Sequence, residues 1–341
     1  MLTKSLSRAA SFVSGQGTAI FLIAAIVFGA AFGTIAPDSE KLSSEQIDIT
    51  ILALVFFLLF EIRLQSILSS IKRVPLIAVA LLANFVIIPV LGYAIASVFL
   101  SAHPLFFIGL VIYFMAPCTD WFLAFTRLAR GNTALGAALI PINMIFQLLL
   151  YPVYLHLFDI GTVGIDSIGN FQTLWHWFLV PLLLAISIRI LAERLLNQAQ
   201  FDVAQALISL LFPVLLAVLV WQLTASNIGT LTANITVFPL IFCAILTFFL
   251  ATYLLSEAVA KWMGLAYEDR VLITMTTAAR NAPLMLAITI VVLPNQPLIY
   301  AAIIIGMLVE LPHLVALKSI LLRQRNSRRG KNLELDNKLA S

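Results

Sequence analysis

The chain has 341 residues, of which 62% are hydrophobic and only 11% are charged. A soluble domain has roughly 45–50% apolar and about 25% charged residues, so this composition excludes a soluble protein and predicts an integral membrane protein solvated by lipid. The formal net charge of +4 does not indicate a nucleic-acid-binding protein, because the basic residues follow the loops instead of forming one patch.

Ten apolar segments along the chain are long enough to cross a bilayer, which takes about 17–25 residues. We interpret them as ten transmembrane helices joined by short connections, at residues 18–36, 49–68, 74–100, 105–128, 134–158, 172–191, 203–223, 235–256, 271–293 and 298–322. Residues 1–17 and 323–341 are then terminal segments, and the polar tail after Leu322 is expected to be disordered.

The basic residues predict the orientation of these helices. With the N-terminus in the cytoplasm, the basic residues of loops and tails fall on the cytoplasmic side, and Lys41 alone lies in an external loop that also holds several acids. The positive-inside rule therefore places both termini in the cytoplasm, in a protein expected in the plasma (inner) membrane. The cytoplasmic set comprises Lys4, Arg8, Arg63, Lys72, Arg73, Arg127, Arg130, Arg189, Arg194, Lys261, Arg270 and the basic residues from Lys318 to Lys338.

Two of the ten segments contain sequences that interrupt a helix at mid-span. The fourth holds Ala116–Asp120, sequence APCTD, and the ninth holds Arg280–Pro283, sequence RNAP. Proline removes a backbone donor and kinks or breaks a helix, while Thr119 and Asp120 are suited to cap a helix that restarts there. Taken singly, each sequence is also compatible with an ordinary proline kink.

The positions of the two interruptions favour a particular fold. Residues 18–158 and 172–322 each hold five predicted helices, and each interruption falls in the fourth helix of its half. Two repeats with an odd number of spans in series have opposite topologies, and broken helices in corresponding positions are typical of secondary transporters with a midplane site. The sequence thus predicts an all-α membrane protein of ten transmembrane helices in two inverted five-helix repeats, with helices 4 and 9 broken.

Three charged residues lie well inside predicted spans: Asp120, Arg280 and Glu310. Such residues are costly in a membrane and commonly mark transport pathways, proton relays or ion pairs. Arg280 can offset one of the two carboxylates, which leaves the other as a candidate proton or cation site. Structural roles remain open, since Asp120 could cap a helix and Arg280 could clamp the two halves together.

Uncharged polar residues extend this set of candidates. Cys118 adds a thiol beside the charges of the first interruption, where it is either a ligand for a thiophilic substrate or a small apolar filler. Three amide residues in spans 3 and 5 could line a cavity or bond between helices, namely Asn84, Asn143 and Gln147.

Enzymatic and metal-site signals are not found in the sequence. It contains no glycine-rich phosphate loop followed by lysine, no metal-ligand spacing of its four histidines and no legible catalytic triad. We therefore expect a protein that is not an enzyme and has neither a cofactor nor a bound metal.

Several segments resemble a known family of transporters. The stretch from Ala116 to Leu155 is similar to helices 4 and 5 of the bile acid–sodium symporter superfamily, which broadly shares the segment LARGNTAL at Leu128–Leu135. The sequence INMIFQLLLYPVY is closer to the arsenite permease branch of arsenical-resistance transporters. That branch also has a Cys in broken helix 4, an Arg-Asn pair in helix 9 and a Glu followed closely by Pro in helix 10. Cys118, Arg280–Asn281 and Glu310–Pro312 match these features.

The resemblance implies two bundles, a panel and a core, with broken helices 4 and 9 crossing at the core. It also implies efflux of arsenite in exchange for protons, with antimonite as a further candidate cargo. It implies that Cys118 contacts the metalloid or lines its path and that Glu310 carries the proton or the substrate. Together with the interruptions and the buried charges, this gives Glu310 or Asp120 as the proton carrier and a candidate substrate site at Cys118, Thr119, Asp120, Arg280, Asn281 and Glu310. The branch usually has Arg where this chain has Pro117, and Asp120 is a further departure.

Two other functions are compatible with the sequence. One is sodium- or proton-coupled transport of a small organic anion, which Arg280 and the ends of the broken helices would hold. The other is a membrane sensor or scaffold without transport, although such a protein needs neither paired interruptions nor buried charges.

Overall fold

The computed structural model describes residues 18–35, 44–60, 74–119, 121–157 and 180–340, and Asp120 lies outside this part of the chain. The helices, numbered in chain order, are α1 (Thr18–Ile35), α2 (Ser44–Phe60), α3 (Val74–Leu82), α4 (Ile88–Leu100), α5 (Pro104–Met115), α6 (Trp121–Leu128), α7 (Thr133–Leu157), α8 (Val180–Leu195), α9 (Gln198–Ala233), α10 (Phe238–Trp262), α11 (Tyr267–Ala278), α12 (Ala282–Val292) and α13 (Pro297–Ala340). A π-helical turn at Ala83–Ile87 joins α3 to α4, and a 3₁₀ turn at Ile235–Val237 precedes α10.

Six continuous helical segments within the described residues are long and apolar enough to cross a membrane. They correspond to predicted spans 1, 3, 5, 7, 8 and 10. Spans 4 and 9 are each divided into two shorter helices, as the sequence predicts. Spans 2 and 6 are described only in part, since residues 61–73 and 158–179 lie outside the described ranges. The six segments are Thr18–Ile35, Val74–Leu100, Thr133–Leu157, Gln198–Ala233, Ile235–Trp262 and Pro297–Asn326.

The helices pack as two groups. Helices α1, α2, α8 and α9 form one bundle, and the helices from α3 to α7 and from α10 to α13 form the other. Contact between α1 and α9 is close at Gly29 and Gly33, where an added Cβ atom would lie 2.8 Å and 2.4 Å from backbone oxygens of α9. Small residues four apart allow this approach of two helix backbones. The two bundles meet where α13 packs on α9 and α12 packs on α2.

Prolines mark the starts of several helices instead of breaking them. Pro104 and Pro297 are the first residues of α5 and α13, and Pro283 is the second residue of α12. Proline fits the first turn because the backbone donor it lacks would have no partner within the helix there. The RNAP sequence therefore ends with a proline that begins the second half of a broken helix.

The final helix is longer than the sequence predicts. The tail after Leu322 was expected to be disordered, but α13 continues from Pro297 to Ala340. The added segment is rich in Arg, Lys and Leu, which are good helix formers, and a helix already formed in the membrane removes the cost of nucleation.

Candidate functional site

The two interruptions lie side by side in the second bundle. Residues 116–119 separate α5 from α6, residues 279–281 separate α11 from α12, and Pro117 and Arg280 form an antiparallel β-bridge. The Cys118 N–H donates to the Ala279 carbonyl at 3.1 Å, and the Asn281 N–H donates to the Ala116 carbonyl at 3.0 Å. Each extended segment thus satisfies the backbone groups that the other segment loses on leaving its helix.

Arg280 caps the C-terminal ends of two half-helices, α5 and α11. Its side chain is fully buried. Nη1 donates to the Phe114 carbonyl at 3.0 Å, and Nη2 donates to the carbonyls of Thr276 and Thr277 at 3.1 and 2.7 Å. These carbonyls belong to the last turns of α5 and α11, which lack partners within their helices and form the negative ends of the helix dipoles. The guanidinium group therefore provides both the hydrogen bonds and the charge that these ends require.

Glu310 contacts the second interruption at the N-terminal end of α12. It is buried in α13, and its Oε1 accepts a hydrogen bond from the Arg280 N–H at 3.0 Å. This N–H lies just before the start of α12, where a negative charge is favourable because backbone donors point outward there. A cation thus lies at the C-terminal ends of the half-helices and a carboxylate lies at an N-terminal end.

Tyr113 places the other carboxylate oxygen of Glu310. Its hydroxyl lies 3.1 Å from Glu310 Oε2 and 3.1 Å from the Gly306 carbonyl oxygen, so one proton is shared between two acceptors. The tyrosine ring lies flat against α13 because Gly306 has no side chain, and a Cβ atom added there would be 2.8 Å from three ring carbons. Neither Tyr113 nor Gly306 was among the residues that sequence reasoning selected.

Cys118 lies at the centre of the paired segments and is buried. Its backbone N–H donates to the Ala279 carbonyl, and the preceding residue pairs with Arg280, so Cys118 lies next to the segment that contains Arg280. The other cysteine, Cys243, is exposed on α10 and far along the chain from either interruption. Asp120 cannot be assigned to this arrangement, since it lies outside the described residues.

A cluster of amide groups borders the paired segments. Asn281 Nδ2 lies 3.2 Å from Thr119 Oγ1 and 3.4 Å from Gln147 Oε1, and all three residues are buried. Asn143, one helical turn before Gln147 on α7, is also buried, and neither of its side-chain polar atoms has a hydrogen-bond partner among the described residues. This cluster brings predicted site residues of spans 4 and 9 together with two predicted cavity residues of span 5.

Asn84, the third predicted cavity residue, forms a hydrogen bond to α11, the first half of the second broken helix. It belongs to the π-helical turn between α3 and α4, and its Nδ2 donates to Thr276 Oγ1 at 3.0 Å. On the opposite side of α11, the hydroxyls of Thr277 and Ser256 are 2.7 Å apart. These contacts hold α11 between α10 and the π turn. The observed role of Asn84 is thus an interhelical hydrogen bond.

The turn at Leu128–Asn132, sequence LARGN, forms a second link between the two broken helices. The side chain of Asn132 donates to Asp269 at 2.7 Å, its backbone N–H donates to the Glu268 carbonyl, and Tyr267 donates to the Ala129 carbonyl. Arg130 in this turn has a φ of 60°, a left-handed conformation that ends α6. These bonds tie the end of α6 to the start of α11, so the turn has a structural role.

Comparison with known proteins decides the family. The model of the Sodium Bile acid symporter family matches residues 49–228, which is more than half of the chain and includes the first interruption. The chain belongs to the Sodium Bile acid symporter family. It is also 25% identical over 262 residues to the arsenical-resistance protein Acr3 of Corynebacterium glutamicum, an alignment that covers 71% of this chain and 68% of that protein.

Membership of the symporter family makes this chain an integral membrane transporter and not an enzyme. The resemblance seen in the sequence to the arsenical-resistance branch of the family is confirmed by the similarity to Acr3. The family match ends before the second interruption, so Arg280, Asn281 and Glu310 are placed in the site by the geometry of this chain.

The site residues that the sequence did not reveal share one property. Tyr113 lies in the apolar run FFIGLVIYFM and Gly306 in the run AAIIIGML, where each is typical of a lipid-embedded helix. Their role depends on the packing of α5 against α13, which are almost 200 residues apart in the chain. Span 10 contains Glu310, and span 4 contains Tyr113 one helical turn before its interruption. A single sequence gives no sign that these two residues are in contact.

Proposed function

We propose that this transporter exports arsenite, and antimonite with it, across the plasma membrane in exchange for protons. The observation that carries the proposal is the position of Cys118, buried in the first interruption where it pairs with the second, in a chain similar to an arsenical-resistance protein. Trivalent arsenic and antimony are soft elements that bind sulfur ligands readily. A thiol at the meeting point of two broken helices is therefore a suitable ligand for such a cargo.

The polar surroundings of Cys118 fit a small hydroxylated cargo. Thr119, Asn281 and Gln147 offer hydroxyl and amide groups that both donate and accept hydrogen bonds. Oδ1 of Asn281 and both polar atoms of Asn143 have no partner among the described residues and so remain available to a ligand. In this proposal the thiol binds the metalloid and the amides bind its hydroxyl groups.

Glu310 is the proposed carrier of the coupling proton. Its two oxygens are held by the Arg280 N–H and by Tyr113, so gain or loss of a proton changes the contacts of both interruptions at once. A change in charge at this point alters the relative energies of the inward- and outward-facing states, which is what coupling requires. Asp120 is the alternative carrier from the sequence.

The proposal includes an orientation and a symmetry. We infer two inverted repeats, residues 18–158 and 172–322, that contribute one broken helix each to the site, with both termini in the cytoplasm. The distribution of basic residues supports this orientation, and the antiparallel pairing of the two interruptions supports the opposed directions of the broken helices.

Transport of an organic anion is the alternative that the geometry favours less. Such a cargo needs a cationic group with free donors, whereas both terminal nitrogens of Arg280 are bonded to backbone carbonyls and only Nε has no partner among the described residues. A bidentate grip on a carboxylate would have to displace these bonds and leave the helix ends without partners.

A transport assay with the purified protein tests the proposal. The full chain is reconstituted into proteoliposomes, and uptake of arsenite is measured with and without an imposed pH gradient, then repeated with a small organic anion under a proton and a sodium gradient. Arsenite uptake that accelerates with the pH gradient is expected. Flux of the organic anion without flux of arsenite would overturn the proposal, and absence of flux with either cargo would indicate a sensor.

A further inference from the structure

A line of buried polar side chains leads away from the paired interruptions between α7 and α12. On α7, Asn143, Gln147 and Tyr151 are four residues apart, which places them on one face of the helix, and all three are buried. Gln147 contacts Asn281 just before α12. Tyr151 lies beside Thr289 near the end of α12, but the two hydroxyl groups form no hydrogen bond, and the Thr289 hydroxyl donates to the Met285 carbonyl. We call the five residues Asn143, Gln147, Tyr151, Asn281 and Thr289 the α7–α12 seam.

Polar atoms without partners are concentrated in this seam. Both side-chain polar atoms of Asn143, Oδ1 of Asn281 and the hydroxyl oxygen of Tyr151 have no hydrogen-bond partner among the described residues. The other such atoms in the described part of the chain belong to five residues outside the seam, one of them in the second interruption: Asn84, Gln222, Arg280, His313 and Arg325. Unpartnered polar groups at membrane depth are tolerated where water reaches them, so four such atoms in a line indicate a hydrated path.

Tyr300 extends the line to the end of α12. Its hydroxyl donates to the Leu293 carbonyl and accepts from the Gln296 N–H at 3.2 Å, in the turn between α12 and α13. Leu293 in turn donates its N–H to the Thr289 carbonyl at 2.8 Å, so Tyr300 contacts the chain one helical turn beyond Thr289. The neighbouring turn residue Asn295 is exposed. A sequence of polar groups therefore connects the interruptions with the protein surface.

The chemistry of the seam suits protons better than any other ion. It offers hydroxyl and amide groups but no charged side chain, so it provides little to stabilise a dehydrated cation. A hydroxyl oxygen can accept a proton from one neighbour while it releases its own to the next, and water held by the amides can do the same. One proton then enters at one end as one leaves at the other, and no covalent bond is altered overall.

We propose that the α7–α12 seam conducts the coupling proton between the interruptions and the membrane face on which α12 ends. In the orientation inferred above this is the outer face, from which an exporter driven by the proton gradient takes its protons. The inference rests on the proposed proton coupling, and it assigns roles to Tyr151 and Thr289 that neither the family match nor the sequence provides.

The test separates proton conduction from cargo handling. Tyr151→Phe and Thr289→Val remove one hydroxyl each with little change in shape. Tyr154→Phe on the same helix, whose hydroxyl donates to the Phe85 carbonyl, and Thr252→Val, whose hydroxyl donates to the Phe249 carbonyl, are the matched controls. For each full-length variant in proteoliposomes, arsenite counterflow without any gradient is compared with arsenite transport driven by a pH gradient.

We expect both seam variants to retain counterflow and to lose roughly tenfold or more of the gradient-driven rate, because positioned proton transfer contributes factors of at least that size. Thr289→Ser restores the hydroxyl and should restore that rate. Controls should retain both activities. An unchanged gradient-driven rate in Tyr151→Phe and Thr289→Val would overturn the inference, and so would an equal loss of both activities.

The wild-type protein distinguishes this inference from the function on which it rests. Wild-type counterflow of arsenite that does not respond to a pH gradient would overturn the seam but leave arsenite as the cargo. A wild-type protein without arsenite counterflow would overturn both. Because counterflow needs no proton movement, the two failures give different results in the same preparation.

Discussion

The hydroxyl group of Tyr113 lies 3.1 Å from Oε2 of Glu310, so the helix before the first interruption positions the carboxylate that contacts the second. Oε1 of the same carboxylate accepts the Arg280 N–H. Movement of α13 relative to α5 must therefore break one of these contacts or carry both interruptions with it. This relationship makes the carboxylate a mechanical as well as an electrostatic link between the broken helices.

Replacement of Tyr113 by Phe should impair transport more than stability. The ring keeps its packing against Gly306, but Glu310 Oε2 loses a buried donor, a change worth about 1–3 kcal/mol. If this energy is lost from the rate-limiting state, arsenite efflux from everted vesicles falls roughly tenfold. The control is Tyr93→Phe on the exposed face of α4, and this variant should transport normally. Wild-type efflux by Tyr113→Phe would show that the tyrosine only fills space.

Replacement of Gly306 by Ala tests the close approach of α5 and α13. The added Cβ would lie 2.8 Å from three carbons of the Tyr113 ring, which is fully buried and cannot move aside freely. Overpacking of this kind costs about 1–3 kcal/mol and should lower the thermal unfolding midpoint in detergent by several degrees. Gly229→Ala is the matched control, because nothing lies within 4 Å of a Cβ atom there. Equal midpoints for the two variants would contradict the packing described above.

Glu310→Gln should uncouple transport from protons while leaving the fold intact. An amide oxygen can still accept the Arg280 N–H, but the side chain can no longer gain or lose a proton near neutral pH. We expect arsenite counterflow to persist and acceleration by a pH gradient to disappear. Glu268→Gln, an exposed change at the start of α11, should behave as wild type. If Glu310→Gln transport still responds to the pH gradient, the role of proton carrier would be assigned to Asp120 instead.

Cys118→Ser should remove the soft ligand with little effect on folding. The backbone N–H of residue 118 keeps its bond to the Ala279 carbonyl, and serine has nearly the same shape as cysteine. Arsenite efflux is expected to fall by about tenfold or more, because an oxygen ligand replaces a thiol for a soft element. The matched control is Cys243→Ser on the exposed side of α10. Undiminished efflux would exclude Cys118 as a ligand and remove the main chemical support for an arsenical cargo.

The interruptions could be predicted from the sequence because their causes are local. Pro117, Pro283 and the charge of Arg280 violate the pattern of an uninterrupted apolar helix, and no knowledge of the fold is needed to see them. The sequence also left two roles open for Arg280, namely offsetting a carboxylate and clamping the two halves together. Its bonds to three carbonyls of α5 and α11 match the role of a clamp.

The contacts that complete the site depend on packing between distant segments. The bridge between residues 117 and 280, and the contact of Tyr113 with Glu310, join helices that are more than 150 residues apart in the chain. Tyrosine and glycine in apolar runs have many ordinary uses in a membrane helix, so their types carry no signal by themselves. The inverted repeats remain a prediction, since the described residues include only parts of spans 2 and 6.

Arg280→Lys should destabilise the protein even though the charge is conserved. The guanidinium donates from two separate nitrogens to carbonyls of two helix ends, whereas a lysine ammonium is a single point and cannot span both. Loss of even one charge-assisted bond to a buried carbonyl costs about 1.5–3 kcal/mol. The thermal unfolding midpoint of the purified protein should fall accordingly, and Arg127→Lys at the exposed end of α6 should leave it unchanged. Should Arg280→Lys unfold at the wild-type temperature but fail to transport, the arginine would act on the cargo and the clamp assignment would be wrong.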